Sequence, residues 1–167
     1  MNEALRDARA RLERVTPLKT DCGRVCGVAC CRSAEGEETG MLLFPGEEAL
    51  FAGRAGWVLR PAALGTLAVC PGVCDREMRP LACRLFPLLP VLREDGVRIA
   101  VDARARGVCP LGRGGLNAFS PEFREAVRAA GVRLAEDEEQ AAFLRLLTAQ
   151  QDEWTCLRRQ FGGGKDV

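Results

Sequence analysis

The amino-acid sequence predicts an α+β fold: a small, loop-rich domain that is stapled together by metal. The clearest β signal lies at residues 88–101, where two apolar arms joined by Glu94-Asp95-Gly96 predict a β-hairpin. Helical periodicity with capping residues is found near both ends of the chain. Nine cysteines, most of them in segments without periodicity, complete the pattern. We therefore expect one β-hairpin or small antiparallel sheet with flanking helices, including a long C-terminal helix.

The length of the chain, 167 residues, is that of one domain. We predict a single domain over residues 1–167. It comprises an N-terminal helix within 1–19, a cysteine-rich metal-binding core at 20–115, C-terminal helices at 120–161 and a flexible tail at 162–167.

Composition excludes several classes of function. The chain has no histidine and its only serines are Ser33 and Ser120, so a Ser-His-Asp triad, a Cys-His dyad or a His-ligated zinc site cannot form. Lys and Arg (24) balance Asp and Glu (23), which gives no basic excess, and we expect no nucleic-acid partner. We also expect no membrane span, because no apolar run approaches about 20 residues.

The first residues lack the apolar centre of a secretory signal, which predicts a cytoplasmic location. Stable disulfides are rare in that compartment. Nine cysteines in a chain of this size therefore indicate metal binding rather than a disulfide framework, and their odd number agrees with this interpretation.

The N-terminal segment predicts a helix over residues 3–15, with Asn2 as its N-cap and Pro17 beyond its end. Apolar side chains recur there at helical spacing. From residue 19 to residue 40 the sequence has no period of either kind, which predicts a loop that metal must order.

The middle of the chain predicts short elements. A helix is expected over 45–52, because Glu47 and Glu48 lie in its first turn, where the helix dipole favours acids. Residues 57–59 and 66–69 are candidate strands, and the hairpin at 88–101 follows.

Two helices are predicted at the C-terminal end. Ser120-Pro121 supplies an N-cap and an N1 proline for a helix over 121–130 that ends at Gly131. A longer helix is predicted over 136–161, and Cys156 falls on the side away from its apolar stripe, so we interpret it as a spare thiol. The stripe that we expect to face the core consists of Phe143, Leu147, Trp154, Leu157 and Phe161.

The remaining cysteines form two clusters. The first has the spacing C-x3-C-x3-C-C, and the second has the spacing C-P-x2-C-x8-C-R, followed after the hairpin by a Cys-Pro dipeptide. Buried structural cysteines scatter among helices and strands, whereas these lie in loops, so metal ligation explains them better. The predicted metal ligands are Cys22, Cys26, Cys30, Cys31, Cys70, Cys74, Cys83 and Cys109.

Thiolates are the form that binds metal, so eight ligands add much negative charge and require neighbouring donors. Five arginines that lie within a few residues of a predicted ligand are candidates for this role. Of these we favour Arg84 as an outer-shell donor to a ligating sulfur. The five are Arg24, Arg32, Arg76, Arg79 and Arg84.

The spacing favours iron over zinc. Ordinary zinc knuckles use C-x2-C pairs, and this chain contains none. Cys70 and Cys109 are each followed by a proline. In bacterial ferredoxin runs a proline also follows the last cysteine ligand. All-sulfur ligation suits either metal. We therefore expect an iron-sulfur cluster, with the 4Fe-4S type in view, and Zn²⁺ as the alternative.

These residues resemble the YkgJ-type family, described as a zinc- or iron-chelating domain with eight cysteines that opens in a C-x3-C-x2-C-C run. The segment 79–87, RPLACRLFP, is similar to the RP-x2-CR-x-[FY]-P segment of that family, and Cys109-Pro110-Leu111-Gly112 is similar to its late turn. The resemblance covers residues 20–115 and implies the eight ligands named above. Larger proteins that resemble this domain, such as flagellin lysine methylases, are associated with an iron-sulfur centre, but this sequence has no recognisable SAM-binding loop.

Three hypotheses of function follow. The first is a cytoplasmic metalloprotein for electron transfer, redox sensing or metal handling. The second is a structural zinc module whose C-terminal helices present a surface to a protein partner. The third is an enzyme, or an enzyme accessory, with an open iron-sulfur site, in which Asp75, Glu77 or Asp102 serves as a non-thiol ligand or base.

Overall fold

The computed structural model describes residues 1–32, 40–72 and 75–161, and over these residues the fold is α+β, as predicted. The predicted tail at 162–167 lies outside the described residues. The helices are α1 (Glu3–Arg11), α2 (Cys22–Cys26), α3 (Glu48–Phe51), α4 (Leu81–Leu85), α5 (Ala105–Val108), α6 (Pro121–Ala135) and α7 (Glu138–Phe161). The strands are β1 (Gly40–Leu42), β2 (Val58–Ala62), β3 (Gly65–Val69), β4 (Leu88–Arg93) and β5 (Gly96–Val101). Short 3-10 turns occur at Ala29–Cys31, Arg76–Met78, Pro110–Arg113 and Leu116–Ala118.

The strands form two antiparallel sheets. One has the order β1-β3-β2, and its β2-β3 pair contains both strands that the sequence predicts. The other is the predicted hairpin, in which Leu88 pairs with Val101 and Arg93 pairs with Gly96. The Glu94-Asp95 turn therefore lies where the sequence places it.

The main core lies between α1, α4, β4, α6 and α7. Phe44, which follows β1, belongs to this core. Its ring packs edge-on against Phe143 of α7, with centroids 5.1 Å apart. A smaller cluster formed by Leu43, Phe51 and Ala68 lies against the three-stranded sheet. The first cysteine segment lies outside both clusters, because α2 and the Ala29–Cys31 turn bury no residue.

The first helix is shorter than predicted, because α1 ends at Arg11 instead of continuing to residue 15. The carbonyl oxygens of Glu13 and Val15 accept hydrogen bonds from the Arg76 guanidinium, at 2.8 Å for Val15. These bonds fix the chain in an irregular path that ties the end of α1 to the second cysteine segment.

The segment 19–40, predicted to be a loop that metal orders, contains short helical elements in its described part. The segment contains α2, with Asp21 as its N-cap, and the 3-10 turn at Ala29–Cys31. Five residues are too few to show helical periodicity, and therefore the pattern could not be recognised from the sequence.

The prediction that Gly131 ends a helix is also wrong. Helix α6 continues through Gly131 to Ala135, and α7 begins at Glu138. The glycine is needed for close packing: an ideal Cβ there would lie 2.5 Å from Pro90 Cβ and 2.8 Å from Val97 Cγ1. The hairpin therefore approaches the helix where the helix has no side chain.

Substitution Gly131→Ala is expected to destabilise the protein by about 1–3 kcal/mol, although alanine is the better helix former. The clash with Pro90 is with a rigid ring and cannot be relieved by a rotamer change. The helical residue Gly107 is a matched control, since a Cβ added there would meet nothing within 4 Å, and Gly107→Ala should leave stability unchanged or raise it. Urea unfolding measures both, and equal effects would contradict this packing argument.

The predicted stripe of α7 faces the core only in its first half. Phe143 and Leu147 are buried, Trp154 is half-buried, and Leu157 and Phe161 are 45% and 80% exposed. The helix extends past the hairpin on which it packs. The predicted apolar residues do share one side of the helix, but no described helix or strand covers its last two turns.

The spare thiol is placed as predicted, because Cys156 is exposed on α7. Gln151 joins this helix to the end of the hairpin: it accepts from the Ala103 N–H at 2.8 Å and donates to the Val101 carbonyl at 2.9 Å, and Arg158 donates to the Ala103 carbonyl at 2.5 Å. Among the described residues, no helix is both long enough and apolar enough to cross a membrane.

Candidate metal centre

Seven of the eight predicted ligands line two adjoining cavities, and Cys74 lies outside the described residues. The first cavity is lined by Cys22, Cys30, Cys31, Cys70 and Cys83. The second is lined by Cys22, Cys26, Cys30 and Cys109. The two cavities share Cys22, Cys30 and the ring of Phe86, so the thiols form one continuous region of the molecule.

The first cluster is brought together by a tight reversal of the chain. Helix α2 places Cys22 and Cys26 one turn apart, and Gly27 ends it in the left-handed conformation (φ 60°). Val28 follows in the same region (φ 55°), which is strained for a β-branched residue. This reversal directs the chain into the turn that carries Cys30 and Cys31.

The other described thiols come from three separate places in the fold. Cys70 directly follows β3, and Cys83 lies within α4. Cys109 follows α5, and its N–H donates to the Ala105 carbonyl at 2.7 Å. The fold therefore brings distant segments of the sequence to one place.

The thiols surround the cavities without yet enclosing a single ion. The Sγ atoms of Cys30 and Cys31 are 3.9 Å apart. Within the described ranges, no group of three or more Cys, Asp or Glu side chains is arranged to hold a metal ion. The donor set fits a thiophilic metal by its chemistry. Its positions require the sulfurs to draw closer together when one binds.

The thiols influence one another. Cys30 and Cys31 share a hydrogen bond, which raises the pKa of Cys30 and, helped by the charge of Arg79, lowers the pKa of Cys31 to about 6. Burial raises the pKa of Cys22, and the neighbouring Asp21, Cys26 and Cys109 add to this effect. The region is therefore crowded with potential negative charge, which a bound cation would relieve.

Arg84, which we predicted as a donor to sulfur, is hydrogen-bonded to backbone oxygens in the structure. Its guanidinium donates to the carbonyls of Arg79 (3.1 Å), Arg9 (3.0 Å), Arg76 (3.3 Å) and Glu77 (2.7 Å). Burial lowers its pKa to about 10, and the charge of Arg9 adds to this effect. Arg84 thus fixes the segment that precedes the Cys83 helix.

The predicted arginines differ in what they contact. Arg76 donates to backbone carbonyls at the end of the first helix. Arg79 lines the first cavity beside Cys22, Cys31 and Cys83 and lowers the pKa of Cys22 and Cys31. It is thus the predicted cation whose charge acts most directly on these two thiols.

The three candidate non-thiol groups are not part of the cysteine region. Asp75 and Glu77 are exposed, and Asp102 is buried. None of them lines either cavity. Asp102 accepts from Arg104 Nη2 at 2.5 Å and from Arg104 Nε at 2.9 Å.

Sequence reasoning missed two charged groups next to the site. Burial lowers the pKa of Arg104, but its bond to Asp102 and the nearby Cys83 outweigh this and raise it. Glu47, which we assigned to a first helical turn, is instead buried and accepts the Leu81 N–H at the start of α4. Cys83 and Leu81 are both distant in sequence from these groups, and no local signal could have revealed the contacts.

Comparisons with known proteins give no relative for this chain. No family model, curated protein or solved structure matches it. The similarity to the YkgJ-type family therefore stays a prediction that depends on the cysteine spacing and the RPLACRLFP segment.

Proposed function

We propose that this chain is a metal-binding protein whose ligands are cysteine thiolates, and that its metal is an iron-sulfur cluster. The observation that carries the proposal is the convergence of seven thiols from five places in the fold on two adjoining cavities. Packing alone does not account for this, because the segments that hold the first cluster bury no residue.

The number and softness of the donors support an iron-sulfur centre. Such clusters are ligated by four cysteine thiolates and would supply one-electron redox chemistry. The chain would contribute thiolates from both clusters, the positive charge of Arg79 at the cavity wall, and the apolar ring of Phe86 between the two cavities. Electron transfer, redox sensing and metal handling are the functions that fit this arrangement, in the cytoplasm.

Structural zinc is the second candidate, and one distance is compatible with it. Two thiolates on the same tetrahedral zinc ion, at about 2.3 Å from the metal, have sulfurs about 3.8 Å apart. The Cys30 and Cys31 sulfurs are separated by 3.9 Å. In this alternative the metal would stabilise the fold, and the exposed end of α7 would be available to a protein partner.

The deciding experiment is metal and acid-labile sulfide analysis, with a visible spectrum, of protein purified without oxygen. Brown protein with iron and sulfide supports the iron-sulfur proposal. Colourless protein with zinc supports the structural alternative. Protein that carries neither metal and gains none on reconstitution contradicts both.

Removal of the metal is expected to release the cysteine segments before the core. Helix α2 and the Ala29–Cys31 turn have no buried residue, whereas α6 buries Phe123, Val127 and Leu134. Hydrogen exchange of protein treated with a chelator should therefore show lost protection at residues 22–31 and retained protection in α6. Unchanged exchange at 22–31 would mean that metal does not order this segment.

A further inference from the structure

The first cavity has a second wall that the cysteines do not form. Besides the cysteines, the lining residues include Trp57, Met41 and Ala68, which belong to the three-stranded sheet and the loop before β2. Phe51 holds Trp57 in place, with ring centroids 4.5 Å apart.

Arg79 is the charged group that this wall leaves available. The neighbouring Arg76 and Arg84 use their guanidinium groups on backbone carbonyls. Asp21, the other charged residue at the cavity, accepts the Gly23 N–H at 3.1 Å as the N-cap of α2. The Arg79 guanidinium makes no hydrogen bond or ion pair with any other described residue, although this residue is only partly exposed.

We propose that this cavity binds a small organic anion that has one carboxylate and a flat apolar body. The carboxylate would bind the Arg79 guanidinium, whose planar array of donors matches it. The apolar body would lie against Trp57 and Met41. An apolar pocket with one well-placed polar group is typical of small-molecule sites. The anion site shares its cavity with five of the proposed metal ligands and uses lining residues that are not themselves ligands.

Phenylacetate is a suitable probe, and phenylacetamide is its neutral counterpart of nearly the same shape. The chain has two tryptophans, so Trp154→Phe leaves Trp57 as the only indole that reports binding. Titration of this protein with phenylacetate should change its fluorescence saturably, and calorimetry on the unsubstituted chain should give the same affinity. Phenylacetamide should bind at least about tenfold more weakly, because it cannot form a charge-assisted pair.

The variant Arg79→Gln should weaken phenylacetate binding at least about tenfold and leave the weak binding of phenylacetamide unchanged. Arg54→Gln, which removes an exposed charge near the same tryptophan, is the matched control and should bind phenylacetate normally. If Arg79→Gln does not fold, Arg79→Lys is the second variant. It keeps the positive charge without the planar pair of guanidinium donors and should give an intermediate affinity for phenylacetate.

Three results would overturn the proposal: no saturable binding of phenylacetate, equal affinity for the amide, or equal loss in the Arg79 and Arg54 variants. Metal content is measured on every preparation. Saturable phenylacetate binding by protein that gains no metal on reconstitution would support the anion site and contradict the proposed metal function, whereas metal-loaded protein that does not bind phenylacetate would contradict the anion site alone.

Discussion

Substitution Glu47→Ala is expected to lower the free energy of unfolding by about 3–5 kcal/mol, the usual cost of removing one partner of a buried ion pair. The Glu47 side chain is completely buried and is paired with the Arg9 guanidinium. It also accepts the N–H groups of Phe44 at 3.1 Å and Leu81 at 2.9 Å. Alanine would leave a nearly buried guanidinium without its counterion and two backbone donors without an acceptor.

Urea unfolding near neutral pH measures this effect, and two further variants test its cause. Glu47→Gln keeps an acceptor but removes the charge, so it should fall between the wild type and Glu47→Ala. Glu125→Ala breaks the exposed pair with Arg128, which is fully solvated, and should leave stability nearly unchanged. Equal losses for Glu47→Ala and Glu125→Ala would show that burial of the pair is not the source of its contribution.

Glu47 also connects the core to the candidate metal centre. The Leu81 N–H that it accepts lies in the first turn of α4, the helix that carries Cys83. Arg9 donates in addition to the Glu77 carbonyl at 3.2 Å, in the same segment that Arg84 fixes. Loss of this carboxylate should therefore loosen the second cysteine segment as well as the core, and the metal content of Glu47→Ala should fall with its stability.

The elements that the sequence predicted correctly are those with strong local signals. The hairpin has a two-residue turn between alternating arms, and α6 has a serine N-cap followed by proline. The errors arose where tertiary packing overrode a local rule. Gly131 has the residue type of a helix end, but it is needed for close approach of the hairpin, and only the packed structure shows this.

For the candidate site, too, local sequence signals were predictive and long-range contacts were not. Cysteine spacing alone identified the residues that converge, and seven of the eight line the two cavities. The charged residues around them could not be assigned from sequence, because their partners are far away in the chain. Arg84 reaches back to the Arg9 carbonyl across 75 positions, and Glu47 reaches Leu81 across 34. Nearness in sequence to a cysteine was therefore a poor guide to what each arginine contacts.

Substitution Cys83→Ser is expected to cause a large loss of bound metal and of stability. Cys83 lies in α4 on the wall of the first cavity, with four other thiols around the same space. A serine hydroxyl is a hard, protonated donor and replaces a thiolate poorly at a thiophilic metal. Structural metal sites have apparent binding free energies of about 10–16 kcal/mol. Loss of one ligand should therefore lower the free energy of unfolding of the metal-loaded protein by several kcal/mol.

Cys156→Ser is the matched control, since the same atoms change at a thiol outside the cavities. Cys156 is exposed on α7, and Gln160 Nε2 lies 3.4 Å from its sulfur. Metal content and thermal unfolding of this variant should equal those of the wild type. Equal loss in both variants would refute the ligand assignment. Cys83→Ser protein that is less stable but keeps its full metal content would instead make Cys83 a packing residue of α4. In that case the hydroxyl disturbs the packing of the helix and leaves metal binding intact.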